Sequence, residues 1–223
     1  MREALSGWTV CNNIHTEFSE ATMNAFFERL NRPPLNGYRS TIHDVNVPDG
    51  ESGQNRTIVL CPKNHHKALE EHGELKCVLP DDCVNDQETA ALQIVVAACA
   101  ATLVECGMTA DHVADRELLR TPPGSLCQST HREGHKAFIN FIVPVTSDSV
   151  GSRGTYVPQI AKEGEFCQPH IPKGGALRFP SKMPHYGPGN QHGKGERRNI
   201  FISFPAEKNS IGHYTDELVL FEN

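Results

Sequence analysis

The chain has 223 residues, with 21 Lys and Arg against 27 Asp and Glu, a formal charge of −6. That acidic balance argues against broad phosphate-backbone binding and makes free nucleic acid a poor candidate partner. No run of about 18 apolar residues marks a membrane span, MREALSGWTVCNN lacks the apolar core of a signal peptide, and the length suits a single domain over 1–223. The eight cysteines, at 11, 61, 77, 83, 99, 106, 127 and 167, are then expected to be reduced thiols in the cytoplasm or nucleus, with no disulfide. Cys61, His65, His66, Cys77 and Cys83 match no tight zinc spacing.

Along the chain, residues 1–117 read as a helical and loop support region. SEATMNAFFERL predicts a helix with Ser19 as a candidate cap, stopped by NRPP. Residues 36–58 are polar and turn-rich and predict a long loop. NDQETAALQIVVAACAATLVECG predicts a second helix, capped by Asn85 or Asp86 and stopped by Gly107. Its apolar residues fall on more than one face, which predicts packing on several sides.

Near residue 118 the signals change to β. KAFINFIVPV is apolar and β-branched, and GTYVP, GGALRFP, RNIFISFP and HYTDELVLFEN are short runs parted by turn residues. Short strands at this spacing predict a sandwich or barrel, with the helices packed against it. Residues 118–205 hold the core motifs, and 206–223 is a final strand or tail.

QSTHRE precedes the first of these strands. His131 and Glu133 are two apart, so on a strand they share a face and both can reach one ion. A third ligand must come from another strand. His185, in MPHYGPGN 54 positions on, follows the GGALRFP strand. Two histidines and one carboxylate form the facial triad of non-haem Fe(II) sites, leaving positions open for substrate and oxygen. His135 and His170 are substitutes, but an all-histidine site would lack charge compensation. In ERRNIFISF, Arg197 and Arg198 open an apolar strand. An arginine buried there needs an anion, which a bound carboxylate would satisfy. Alternation lets only one of the two point inward. Asn140 and Tyr156 lie on neighbouring strands, with facing that the sequence leaves open.

QSTHRE, MPHYGPGNQ and ERRNIFISF, in this order and spacing, resemble the Fe(II)/2-oxoglutarate-dependent dioxygenases. HYGPGN and RRNIF are similar to the phytanoyl-CoA and ectoine hydroxylase type, and RGTYVP and IPKGGALRF to prolyl-hydroxylase strands. The resemblance covers roughly 118–205. It implies a mostly β fold with flanking α, a double-stranded β-helix (jelly-roll) core packed against N-terminal helices. It also implies that His131, Glu133 and His185 hold Fe(II). Arg197, with Arg198 as runner-up, would bind the distal carboxylate of 2-oxoglutarate, with Asn140 and Tyr156 as further candidates to touch it. Glu133 departs from the pattern, where Asp is usual. The implied reaction consumes O2 and 2-oxoglutarate, with ascorbate as an optional reductant. It releases succinate and CO2 and hydroxylates a small molecule or a protein side chain. Two other readings stand beside it: a cupin-like metalloprotein that does not use 2-oxoglutarate, and a catalytically inactive jelly-roll binding protein.

Overall fold

The computed structural model describes residues 7–38, 40–42, 56–60, 79, 81–110, 113, 115–128, 130–132, 137–145, 155–159, 164–190 and 195–206. Both α-helices among the described residues start on reciprocal capping boxes, which satisfy backbone N–H groups that the first turn leaves orphaned. Helix α1 (Glu17–Arg29) is capped by Thr16, not Ser19. Ser19 is the third helical residue, and its hydroxyl accepts from the Thr16 N–H at 2.9 Å while its own N–H donates to Thr16 Oγ1 at 3.1 Å. Helix α2 (Asp86–Glu105) uses Asn85 and Glu88 in the same way. It ends where Gly107 takes φ 78°. The Gly107 N–H donates to Val104 at 2.8 Å and that of Met108 to Leu103 at 3.0 Å, a closure that favours glycine at the left-handed position.

Helix α2 differs from expectation. It is long and apolar enough to cross a membrane by composition, and its buried positions lie on one side among the described residues. Ala91, Leu92, Val95, Cys99 and Leu103 form one buried stripe, while Val104 is 60% exposed. Val96, Ala98 and Ala100 flank the stripe and pack, partly buried, against the same core.

Among the described residues, seven strands form one antiparallel sheet: β1 (Thr9–Cys11), β2 (Ser40–Ile42), β3 (Arg56–Leu60), β4 (Asp115–Thr121), β5 (Phe138–Pro144), β8 (Ala176–Pro180) and β9 (Arg197–Pro205), in spatial order β1-β8-β5-β9-β4-β3-β2. The region before residue 118 is therefore not only helix and loop, since it supplies both edges of this sheet. Those strands are short or polar and carry little alternation to read. HYTDELVLFEN lies outside the described residues.

A second layer is made of short pairings. The segment around 124–131 runs beside 185–190, which in turn pairs with Tyr156, and β6 (Val157–Pro158) pairs with β7 (Phe166–Cys167). Strand alternation divides the apolar residues between two cores. Ile139, Phe141, Val143, Ile200, Ile202 and Phe204 face the helices and meet Met23, Phe26 and Phe27 of α1 and Val95 and Cys99 of α2. Ile142, Leu177, Phe179 and Phe201 face the other way and meet Val157, Ile171 and Met183 of the second layer. The space between the two layers is where the candidate site lies.

Candidate functional site

His131 and His185 are direct partners across the second layer. Each donates its backbone N–H to the other's carbonyl at 2.9 Å. Residues opposite each other in such a ladder put their side chains on the same face, and the two imidazoles lie 4.6 Å apart between centroids. Residues 54 positions apart in sequence are thus brought side by side by one pair of strands.

His185 is oriented as well as buried. It is 3% exposed, and its Nδ1 lies 2.8 Å from the Met183 carbonyl oxygen. A carbonyl only accepts, so Nδ1 carries the proton and Nε2 of the neutral ring carries the lone pair. This fixing of the tautomer is what a metal-ligating histidine requires. The Phe179 ring packs against His185 at 4.6 Å between centroids and holds it from the large sheet. Glu133 and His135 lie outside the described residues, and His170 is exposed on the surface. Among the described residues, no cluster of three or more His, Cys, Asp or Glu forms a complete metal site.

The two arginines at the start of β9 point to opposite faces. Arg198 shares its face with Ile200 and Ile202 and engages α1. It pairs with the Glu28 carboxylate, approaches Asn24 and stands over the Phe27 ring at 5.8 Å. Arg198 also holds the Glu28 carboxyl below the usual range, through a hydrogen bond and its charge. Arg197 shares its face with Phe201, which packs between the layers. Its Nη1 donates to the carbonyl oxygens of Pro188 at 2.9 Å and Gly189 at 3.4 Å, in the segment that follows His185.

The facing of Asn140 and Tyr156 is decided here. Tyr156 stacks on Tyr186 at 4.4 Å. Both adjoin inward residues, Val157 and His185, so the Tyr pair stands on the outer face. Asn140 points inward, fully buried, between Phe179 on one neighbouring strand and Ser203 on the other. Ser203 has no sequence signal beyond its place in the alternation of β9. The tautomer-fixing Met183 carbonyl had none at all, because a backbone acceptor is available in any sequence.

Cys11, Cys83, Cys99, Cys106, Cys127 and Cys167 are free thiols among the described residues. Burial raises the Cys11 and Cys99 thiols above their ordinary value and keeps them protonated.

No family model and no curated protein matches the sequence. Solved structures do match in three dimensions. A prolyl-4-hydroxylase from Pseudomonas putida has a TM-score of 0.55 at 14% identity, covering 91% of this chain and 95% of its own. A prolyl hydroxylase from Trichoplax adhaerens, in complex with a hypoxia inducible factor peptide fragment, has a TM-score of 0.60 at 12% identity, over 94% and 88%. The non-haem α-ketoglutarate-dependent carbocyclase SnoK, from nogalamycin biosynthesis, has 0.59 at 12% identity, over 91% and 80%. α-Ketoglutarate is 2-oxoglutarate. The fold of this chain is accordingly that of the Fe(II)/2-oxoglutarate-dependent oxygenases.

Proposed function

We propose that this chain is a non-haem Fe(II)/2-oxoglutarate-dependent oxygenase with a double-stranded β-helix core, hydroxylating a small molecule or a protein side chain. The observation that carries the reading is the His131–His185 bridge within the second layer, with the His185 tautomer fixed by Met183. The core is supported by two facing layers of four. Strands β8, β5, β9 and β4, adjacent within the seven-stranded sheet, make the first. The segments at 124–131, 185–190, 156–158 and 166–167 make the second.

The donor set suits ferrous iron. Imidazole nitrogen is a fitting ligand, and the carboxylate of Glu133, two positions after His131, would offset part of the metal's charge. When bound, iron and 2-oxoglutarate supply the oxidant, with dioxygen consumed as the 2-oxoacid is cleaved to succinate and CO2 and one oxygen atom passes to the substrate. The protein's own residues do the rest. His185 keeps its proton on Nδ1 through the Met183 carbonyl, so the ring does not rotate or change tautomer as ligands exchange. Arg197 takes the distal carboxylate of 2-oxoglutarate, the pairing that planar guanidinium favours. Phe179, Phe201 and Ile142 form an apolar wall that excludes water and strengthens those charge contacts.

The test is anaerobic binding of Mn(II), then of 2-oxoglutarate, by calorimetry, followed by succinate release with Fe(II) and air. Wild type should bind both and release succinate, and His185→Ala should lose the metal. Unchanged Mn(II) affinity in His185→Ala removes His185 from the ligand set. Metal binding without any 2-oxoglutarate binding favours the cupin-like reading instead.

A further inference from the structure

Three of the free thiols gather on the helix face of the large sheet, on the side away from the histidine centre. Cys11 stands opposite Ala176 in the β1–β8 ladder, and Thr9 stands opposite Arg178. Residues directly opposite, or two apart on one strand, share a face, so Cys11 and Arg178 are neighbours on the face that packs against α2. Cys99 and Cys106 are two turns apart on α2, with Cys106 as its C-terminal cap. The Cys11 side chain is hydrogen-bonded to that of Thr102, one turn before Cys106.

Arg178 sets one of the three thiols apart. It is buried, at 5% exposure, and its Nη1 donates to Cys106 Sγ at 3.1 Å. The Thr102 carbonyl oxygen and Thr9 Oγ1 are farther from the guanidinium, each at 3.5 Å. A neutral thiol is a weak acceptor, whereas a cation in contact with sulfur stabilises negative charge there, and the thiolate is the nucleophile. The end of α2 opposes this with about half a unit of negative charge, less than the full charge of a guanidinium in hydrogen-bond contact. Cys106 is only half-buried and can be reached by a small solute, while Cys11 is buried and Cys99 wholly so. Burial raises the Cys11 thiol against the pull of Arg178, and negative charge on Cys106 adds to the rise. The accessible sulfur is thus the one held by the cation, with a protonated thiol behind it. We propose that Cys106, held by Arg178, is a peroxide-reactive thiol and that Cys11 is its resolving partner. The Cys106 thiolate attacks one oxygen of a hydroperoxide. The S–O bond forms as the O–O bond breaks, and the other oxygen leaves as hydroxide or alkoxide and takes up a proton. Sulfur gives two electrons to the peroxide and becomes a sulfenic acid. The Cys11 thiol then attacks that sulfur, the S–S bond forms, and the sulfenic oxygen leaves with the Cys11 proton as water. The site stands independently of the oxygenase reading.

The experiment treats the full chain with a small excess of hydrogen peroxide in the presence of a chelator. Remaining thiols are then alkylated, and every cysteine is mapped by peptide mass spectrometry. Wild type should lose Cys106 and Cys11 together, to one bridged peptide pair within a single chain, before the exposed Cys127 reacts. Cys11→Ala should leave Cys106 as a sulfenic acid that dimedone captures. Cys106→Ala should leave Cys11 a free thiol. Arg178→Met should slow the reaction at Cys106 severalfold without changing that at Cys127. Should Arg178→Met fail to fold, the order of reaction in wild type decides. Oxidation of Cys127 ahead of Cys106 overturns the proposal. So does a wild-type Cys106 sulfenic acid that persists, or that bridges to any other cysteine or to a second chain.

Discussion

Adjacent arginines at the start of β9 do unrelated work because strand residues alternate. Arg198 is spent on α1, where it meets Glu28, Asn24 and the Phe27 ring. Glu28 is largely exposed, so the ion pair itself contributes no more than about 1 kcal/mol, and the ring contact adds roughly 0.5–1 kcal/mol. Arg198→Ala should therefore lower stability by about 1–2 kcal/mol in urea unfolding. It should leave 2-oxoglutarate affinity unchanged. Arg197→Ala should do the reverse, raising the 2-oxoglutarate requirement at least about tenfold, equivalent to 1.4 kcal/mol. Iron binding should survive in both variants. Titration of succinate release against 2-oxoglutarate separates them, and damage from Arg198→Ala alone would reassign the carboxylate contact by one register position.

At the level of elements, glycines mark where backbone geometry holds the site. Gly107 and Gly189 make a controlled pair. A Cβ at Gly107 would meet nothing within 4 Å, so Gly107→Ala costs only the left-handed conformation, roughly 1–2 kcal/mol. At Gly189 a Cβ would lie 2.8 Å from the Ser125 carbonyl oxygen and 2.9 Å from the Cys127 nitrogen. Those atoms are backbone and belong to the strand that leads to His131. Gly189→Ala must then push apart the pairing that sets His131 beside His185. Gly107→Ala should lower the melting temperature while leaving Mn(II) affinity intact. Gly189→Ala should lower both, by calorimetry on the refolded soluble protein. Equal metal affinity in the two variants would mean that the ladder around 125–128 does not position the ligands.

Across the whole molecule, acid stability depends on how the helices are joined to the sheet. The backbone N–H groups of Ile14 and His15 donate to the Gly174 carbonyl at 2.7 and 3.0 Å, pinning the start of α1 to the turn before β8. His15 also contacts Ser19 Oγ through Nδ1 at 3.0 Å, and its Nε2 is buried without a hydrogen bond. Burial lowers its pKa to about 4. Above the unfolded value of about 6.5 the ring is neutral in both states and adds no slope. Between 6.5 and about 4 the unfolded chain binds a proton that the folded chain refuses, so stability falls as pH falls. The loss is at most about 3 kcal/mol over that window, at 1.36 kcal/mol per pKa unit. Denaturation of wild type and His15→Asn across this range should show a shallower slope in the variant. Identical slopes would place the proton uptake elsewhere.

The sequence by itself determined the local features of this protein. The helix ends at Asn85 and Gly107 are legible because caps and stops act over three or four residues. The strands over 138–144, 176–180 and 197–205 are legible because burial on both faces demands continuous apolar runs. The order of His131, His185 and the arginines is a one-dimensional pattern, and so it could be aligned with a family's. Only the tertiary structure decided the rest. It showed that His131 and His185 are partners in one ladder, that Met183 fixes a tautomer, that Arg198 belongs to α1, and that Asn140 faces inward while Tyr156 faces out. Each of these depends on which strand lies beside which and in what register, and a shift of one residue would reverse every facing. The short strands at the sheet edges and the one-sided burial of α2 escaped the sequence for the same reason. Their pairing and exposure are set by neighbours far away in the chain, not by their own residues.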